Sequence, residues 1–112
     1  MCSRYEINTT SPEHISLRFR VNCPSSVDSF TEVRPTDRAP IIKSGGQVKL
    51  LRWGLKNTYS GQPLINARSE TLSERKTFIP LLENRCLVPA SAYFEWRKNG
   101  AQNIKSHIAR KD

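Results

Sequence analysis

The sequence predicts an α+β domain built on a curved, mainly antiparallel, barrel-like β-sheet with two or three short helices. Three observations predict it. Short apolar runs flank Gly45-Gly46, and strand-like stretches flank Asn99-Gly100, the two clearest hairpin signals in the chain. Strand-like and helix-like stretches do not alternate, which argues against a doubly wound parallel sheet. A chain of 112 residues with 37% hydrophobic content holds one domain with a modest core, burying roughly two-thirds of its unfolded surface when compact.

The elements follow in order. Ser11-Pro12-Glu13 supplies an N-cap, a proline tolerated at the first helical position and an early carboxylate. Ile15, Leu17, Phe19 and Val21 alternate, yet Ile15 and Phe19 are also four apart; the start signals favour a short helix over 11–20, with a strand as the alternative. Residues 22–38, with Pro24, Ser25, Ser26 and Pro35, read as a loop. The runs 39–43 and 48–53 form the first hairpin. Residues 56–63 are a polar surface loop, 64–68 look extended, and 69–84 look helical but are interrupted by Pro80. Residues 85–88 read as a buried strand with Cys86 as a small core residue, and 92–98 as a further strand. Beyond Asn99-Gly100, residues 103–109 return as its partner, and no covering element follows.

Charge narrows the class of partner. Eighteen Lys/Arg stand against ten Asp/Glu, a net charge of +8, divided nine against five in each half of the chain. That is a basic domain rather than a basic tail, and it suits a polyanion whose phosphates supply most of the affinity. No apolar run reaches membrane or signal-peptide length, so no membrane partner and a cytosolic chain are expected. Three widely spaced cysteines and two histidines give neither a disulfide framework nor a zinc pattern; no metal and no cofactor are called for.

Candidate chemistry starts at Cys2. A cysteine behind the initiator methionine becomes a 1,2-aminothiol if Met1 is trimmed. Its α-amine titrates near ~7.7–8.0, so a useful fraction is neutral and nucleophilic at neutral pH. The amine adds to an aldehyde to give a Schiff base, and the neighbouring thiolate closes a thiazolidine ring. Glu95 sits among Tyr93, Phe94 and Trp96, where apolar surroundings would raise its pKa for proton transfer; a solvated strand position is the alternative. In an extended stretch Asn66 and Arg68 share a face and can hold a sugar oxygen and a phosphate, or be a turn residue and a solvated charge. Trp53 beside Gly54 can stack on an unpaired base or fill the core.

Six segments in this order carry a family resemblance: Met1-Cys2-Ser3-Arg4, Phe30-Thr31-Glu32-Val33-Arg34-Pro35-Thr36, Trp53-Gly54-Leu55, Ile65-Asn66-Ala67-Arg68-Ser69-Glu70-Thr71, Arg85-Cys86-Leu87-Val88-Pro89-Ala90 and Phe94-Glu95-Trp96. The chain resembles the SOS-response-associated peptidase (SRAP) family, whose members crosslink to abasic sites in single-stranded DNA. The resemblance implies that Cys2 is the nucleophile through amine and thiol, and that Asn66 holds the N-terminal residue and the opened sugar. It implies that Glu95 is the acid–base, that Arg4 and Arg68 contact flanking phosphates, and that Trp53 and the Pro35 loop line the strand. The partner so implied is single-stranded DNA with abasic sites, met by a monomer in the bacterial nucleoid or in a nucleus.

Departures from the family pattern sharpen the expectations. Ser3 stands where the family has glycine. Phe30-Thr31-Glu32 replaces an R-Y-N tripeptide and puts an anion near the path of the phosphates. The family's later I-H-x-R-M-P segment has no counterpart here, and His107 does not match its histidine, so residues 1–112 are expected to be one SRAP-like domain lacking its C-terminal part. Two other readings compete. A thiol-dependent peptidase shares Cys2 and Asn66 but needs an oxyanion hole and leaves the charge unused; an inactive fragment would bind DNA weakly.

Overall fold

A computed structural model of the chain describes residues 1–8, 12–27 and 30–111. Among these residues seven strands and one α-helix follow in the order β1 (Arg4–Ile7), α1 (Pro12–Phe19), β2 (Phe30–Val33), β3 (Arg38–Lys43), β4 (Val48–Arg52), β5 (Cys86–Leu87), β6 (Ala92–Asn99) and β7 (Gln102–Ala109). Between β4 and β5 the chain makes only two 3-10 turns, Ser69–Thr71 and Ile79–Leu81. The strands form two open sheets, ordered β2-β1-β6-β7 and β4-β3-β5, and every named pair is antiparallel. The mainly antiparallel expectation holds, but the barrel does not. Among the described residues β2 and β7 remain edges of one sheet and β4 and β5 edges of the other, so neither sheet closes or curls on itself.

Helix α1 settles the ambiguity over 11–20. Only a helical period turns Ile15 inward, where it is 4% exposed, while Leu17 stays 79% exposed. Glu13 in the first turn and Arg18 in the last complement the helix dipole. The helix ends on Arg20, held at φ 53°, and the Val21 N–H donates to the Ser16 carbonyl at 3.1 Å. The expected cap, Ser11, lies outside the described residues.

The two hairpins form where turn chemistry placed them. Ile42 pairs with Val48 around Gly45-Gly46. The second hairpin is offset by one residue: Asn99 pairs with Gln102, so the loop is Gly100-Ala101, with Gly100 at φ 61° in the first central position. Pro40 sits fully buried in β3, which is tolerated because β5 pairs only with Ile42 and Lys43 and leaves that side of Pro40 without a ladder.

Three local expectations fail. Residues 30–33, assigned to a loop, form β2 against β1. The stretch 69–84 lacks α-helix; Pro80 inside the second turn removes a donor and only single turns survive. The 85–88 strand is not buried: β5 is a two-residue edge, with Cys86 exposed and Leu87 and Val88 at 59% and 50% exposure. Its apolar run forecast burial, but β5 has one neighbour and no described segment covers it.

The core gathers Tyr5 and Ile7 from β1, Ile15 from α1, Cys23, Val27, Val33, Ala39, Ile42 and Val48, with Trp53 packed against it. Strand alternation explains the division of β1: Tyr5 and Ile7 are buried, while Arg4 and Glu6 belong to the other face.

Candidate active site

The register of β1 against β6 builds the site. Arg4 lies opposite Phe94, which carries the residues before Arg4 alongside those after Phe94. The N-terminal ammonium, here on Met1, lies 3.4 Å from the half-buried Glu95 carboxylate. From the segment between β4 and β5, Asn66 Nδ2 donates to the Cys2 carbonyl oxygen at 2.9 Å. The Cys2 thiol donates to the Arg4 carbonyl with Sγ 3.3 Å away. Cys2 is itself half-buried, so an amide, a carboxylate and a thiol converge on the first two residues of the chain.

The surrounding walls come from the same segment. A cleft of about 430 Å³ is lined by Met1, Ser3, Pro63, Leu64, Asn66 and Arg68, which places Asn66 and Arg68 on one wall. A neighbouring cleft of about 270 Å³ is shared by Trp53, Asn66 and Phe78. Trp53 packs edge-on against Tyr5, centroids 5.3 Å apart, and also lines this cleft. Pro35 lines neither of these two clefts. It occupies the second position of the Arg34–Asp37 turn, whose Thr36 N–H donates to the Trp53 carbonyl at 2.9 Å, while Trp53 N–H donates to Asp37 O at 2.9 Å. Gly54 lets the two strands of chain close on each other. Its φ is 104°, and a Cβ there would meet the Pro63 Cβ at 2.9 Å.

Tyr5, which the motifs did not single out, lies beneath this region. Burial, then the negative charge of the Cys2 and Cys86 thiolates and of Asp37, pushes its phenol up to about 12. It therefore stays protonated at any working pH. The signal that could have found it is the polar–apolar alternation of Arg4, Tyr5, Glu6 and Ile7. Arg4 points to the opposite face, its guanidinium 6.0 Å from the centroid of the Trp96 ring. His107 is on that face as well, 3.2 Å from Glu6 and against the Phe94 ring, and takes no part in the cleft.

The anion introduced by Phe30-Thr31-Glu32 is not left bare. Glu32 Oε1 accepts from Lys105 Nζ at 2.7 Å and Oε2 from the Arg34 guanidinium at 3.0 Å. Those two hydrogen-bonded cations hold its carboxyl down to about 2. Neither Lys105 nor this cluster could be read from the sequence, because it joins β2 to β7 across the whole width of the sheet. Among the described residues no group of three or more His, Cys, Asp or Glu converges to hold a metal, and no helix is long and apolar enough to cross a membrane.

The first two residues of the chain thus lie between Asn66 and Glu95, with Arg68 on the cleft wall. The chain belongs to the SOS response associated peptidase (SRAP) family, which it matches over residues 1–112. It is 44% identical over 66 residues to the abasic site processing protein YoqW of Bacillus subtilis, a match covering 52% of this chain and 30% of that protein. It is 29% identical over 89 residues to the abasic site processing protein YMR114C of Saccharomyces cerevisiae, covering 71% of this chain and 24% of that one. A crystal structure of a Bacteroides thetaiotaomicron protein superposes with a TM-score of 0.81 at 28% identity, covering 99% of this chain and 55% of the other. The matched segments thus span under a third of the two curated relatives.

Proposed function

We propose that this chain captures abasic sites in single-stranded DNA by closing a thiazolidine between Cys2 and the C1′ aldehyde of the opened sugar. The observation that carries the reading is the Asn66 hydrogen bond to the Cys2 carbonyl, 2.9 Å, beside the Glu95 carboxylate 3.4 Å from the terminal ammonium. One fixes the backbone of the nucleophile; the other is a proton acceptor within reach of an N-terminal amine.

The chemistry follows once Met1 is removed. Glu95 takes a proton from the Cys2 ammonium, and the neutral amine attacks C1′. The resulting carbinolamine loses its oxygen as water, with Glu95 returning the proton, and leaves an imine. The Cys2 sulfur then bonds to C1′ while the imine nitrogen gains a proton and becomes the ring amine. One water is released in all, and no oxidant or reductant is needed. In this reading Arg68 on the cleft wall meets a phosphate flanking the lesion, Arg4 on the other face of β1 meets one farther along the strand, and Trp53 offers an aromatic side to a base beside the lesion. One chain supplies every group, so a monomer suffices, acting wherever single-stranded DNA is exposed, in a nucleoid or a nucleus.

Intact-mass spectrometry tests this. After reaction with an oligonucleotide carrying one abasic site, the adduct should weigh the sum of Met1-free protein and DNA minus one water. Protein whose α-amine has been acetylated should give no adduct. A full-mass adduct from the blocked protein would overturn the aminothiol reading and favour chemistry by the thiol alone.

A further inference from the structure

Six side chains meet on the outer face of the first sheet. Arg4 and Lys105 flank the Trp96 ring, the Lys105 nitrogen 5.5 Å from its centroid and 4.4 Å from that of Phe94. Lys105 then reaches Glu32, which also holds Arg34. Arg34 opens the turn that supports Trp53. The cluster therefore links Arg4, on this face, to the turn whose backbone holds Trp53.

We propose that Glu32 is an internal phosphate surrogate: its carboxylate occupies two cations that a DNA backbone phosphate would otherwise take, and it sets the single-strand affinity of this chain low. The proposal rests on the DNA-binding reading above. The geometry fits the exchange, because a carboxylate and a phosphate present similar oxygen pairs to a lysine and an arginine. The partners are exposed enough to be released, with side-chain exposures of 45% for Lys105 and 60% for Arg34. Held well below the carboxylate range by its two cations, Glu32 remains charged throughout pH 5–8, so the surrogate is always in place. Discrimination gains from such a device. Undamaged strands are held weakly and released, whereas an abasic strand is retained by its covalent bond.

The experiment measures anisotropy of a labelled single strand bearing a tetrahydrofuran abasic analogue, which cannot react, across a salt series. Each phosphate contact on a single strand contributes a slope of about 0.7 in log affinity against log salt, or roughly fivefold at 0.1 M. Glu32→Gln should therefore tighten binding roughly 5- to 25-fold at 0.1 M salt and steepen the slope by about 0.7–1.4. Adding Lys105→Met to that variant should reverse most of the gain. Glu6→Gln, a control that removes one negative charge from the same face but frees only His107, should gain much less. Glu32→Asn reads the same way and stands in if the glutamine variant fails to unfold cooperatively. Equal gains from the Glu6 and Glu32 variants, or an unchanged slope with binding intact, overturn the surrogate alone. A chain that binds no single strand in any form overturns this proposal together with the DNA reading.

Discussion

At the scale of single residues, Tyr5 connects the core to the chemistry. Its ring packs edge-on to Trp53 and its phenol feels the Cys2 thiolate. Because its folded pKa, about 12, lies above the ordinary 10.0, its contribution to stability is complete below pH 10 and is lost as pH rises through 12. The shift corresponds to roughly 2–3 kcal/mol. Ultraviolet titration should show one of the three tyrosines ionising near the higher value, and the melting temperature should fall over the same window. A Tyr5 that titrates with Tyr59, which is 99% exposed, would contradict the buried placement. Thr36 is the other residue under load. A β-branched side chain at φ 78° costs on the order of 1–3 kcal/mol, and it is held by its own N–H bond to the Trp53 carbonyl and by the Trp53 N–H bond to the next carbonyl, Asp37.

At the scale of elements, backbone economy decides what can be improved and what breaks. Arg20 closes α1 in the left-handed region that glycine occupies freely. Arg20→Gly should raise stability by about 0.5–1 kcal/mol in urea unfolding, an increase in midpoint without a change in slope. Gly54→Ala should do the reverse. The added carbon meets Pro63, so the Leu55–Leu64 bridge must open, at a cost of about 1–3 kcal/mol, and Asn66 loses its anchoring wall. Residues with one local meaning were legible from the chain. Gly45-Gly46 and Asn99-Gly100 named their hairpins, and Pro12 with Glu13 named α1. What failed was decided at long range. β2 is a strand because β1 is beside it, and β5 is exposed because only β3 pairs with it. Likewise Cys2, Asn66 and Glu95 were singled out by chemistry and resemblance, but Glu95 reaches the N-terminus because β1 lies against β6, and Asn66 reaches Cys2 from the distant segment between β4 and β5. Lys105 at Glu32 had no local signal at all.

For the molecule as a whole, charge and geometry should separate in the measurements. With net charge +8 distributed over the chain, affinity for unrelated single strands should fall steeply and similarly with salt, whereas the rate of adduct formation once DNA is bound should depend on the groups around Cys2. Salt-insensitive binding, or a strong preference for one undamaged sequence, would contradict the electrostatic part. Glu95→Gln removes the proton acceptor while keeping its shape, and should slow capture by about 10²-fold or more with DNA affinity nearly unchanged. Asn66→Ala should slow it too, by releasing the Cys2 carbonyl. The most direct test of the central claim is a denaturing-gel time course with a single-stranded oligonucleotide carrying one abasic site, comparing the Met1-free chain with Cys2→Ala. The intact chain should accumulate a heat-stable adduct and Cys2→Ala none; an equal adduct from Cys2→Ala would show that another nucleophile does the trapping.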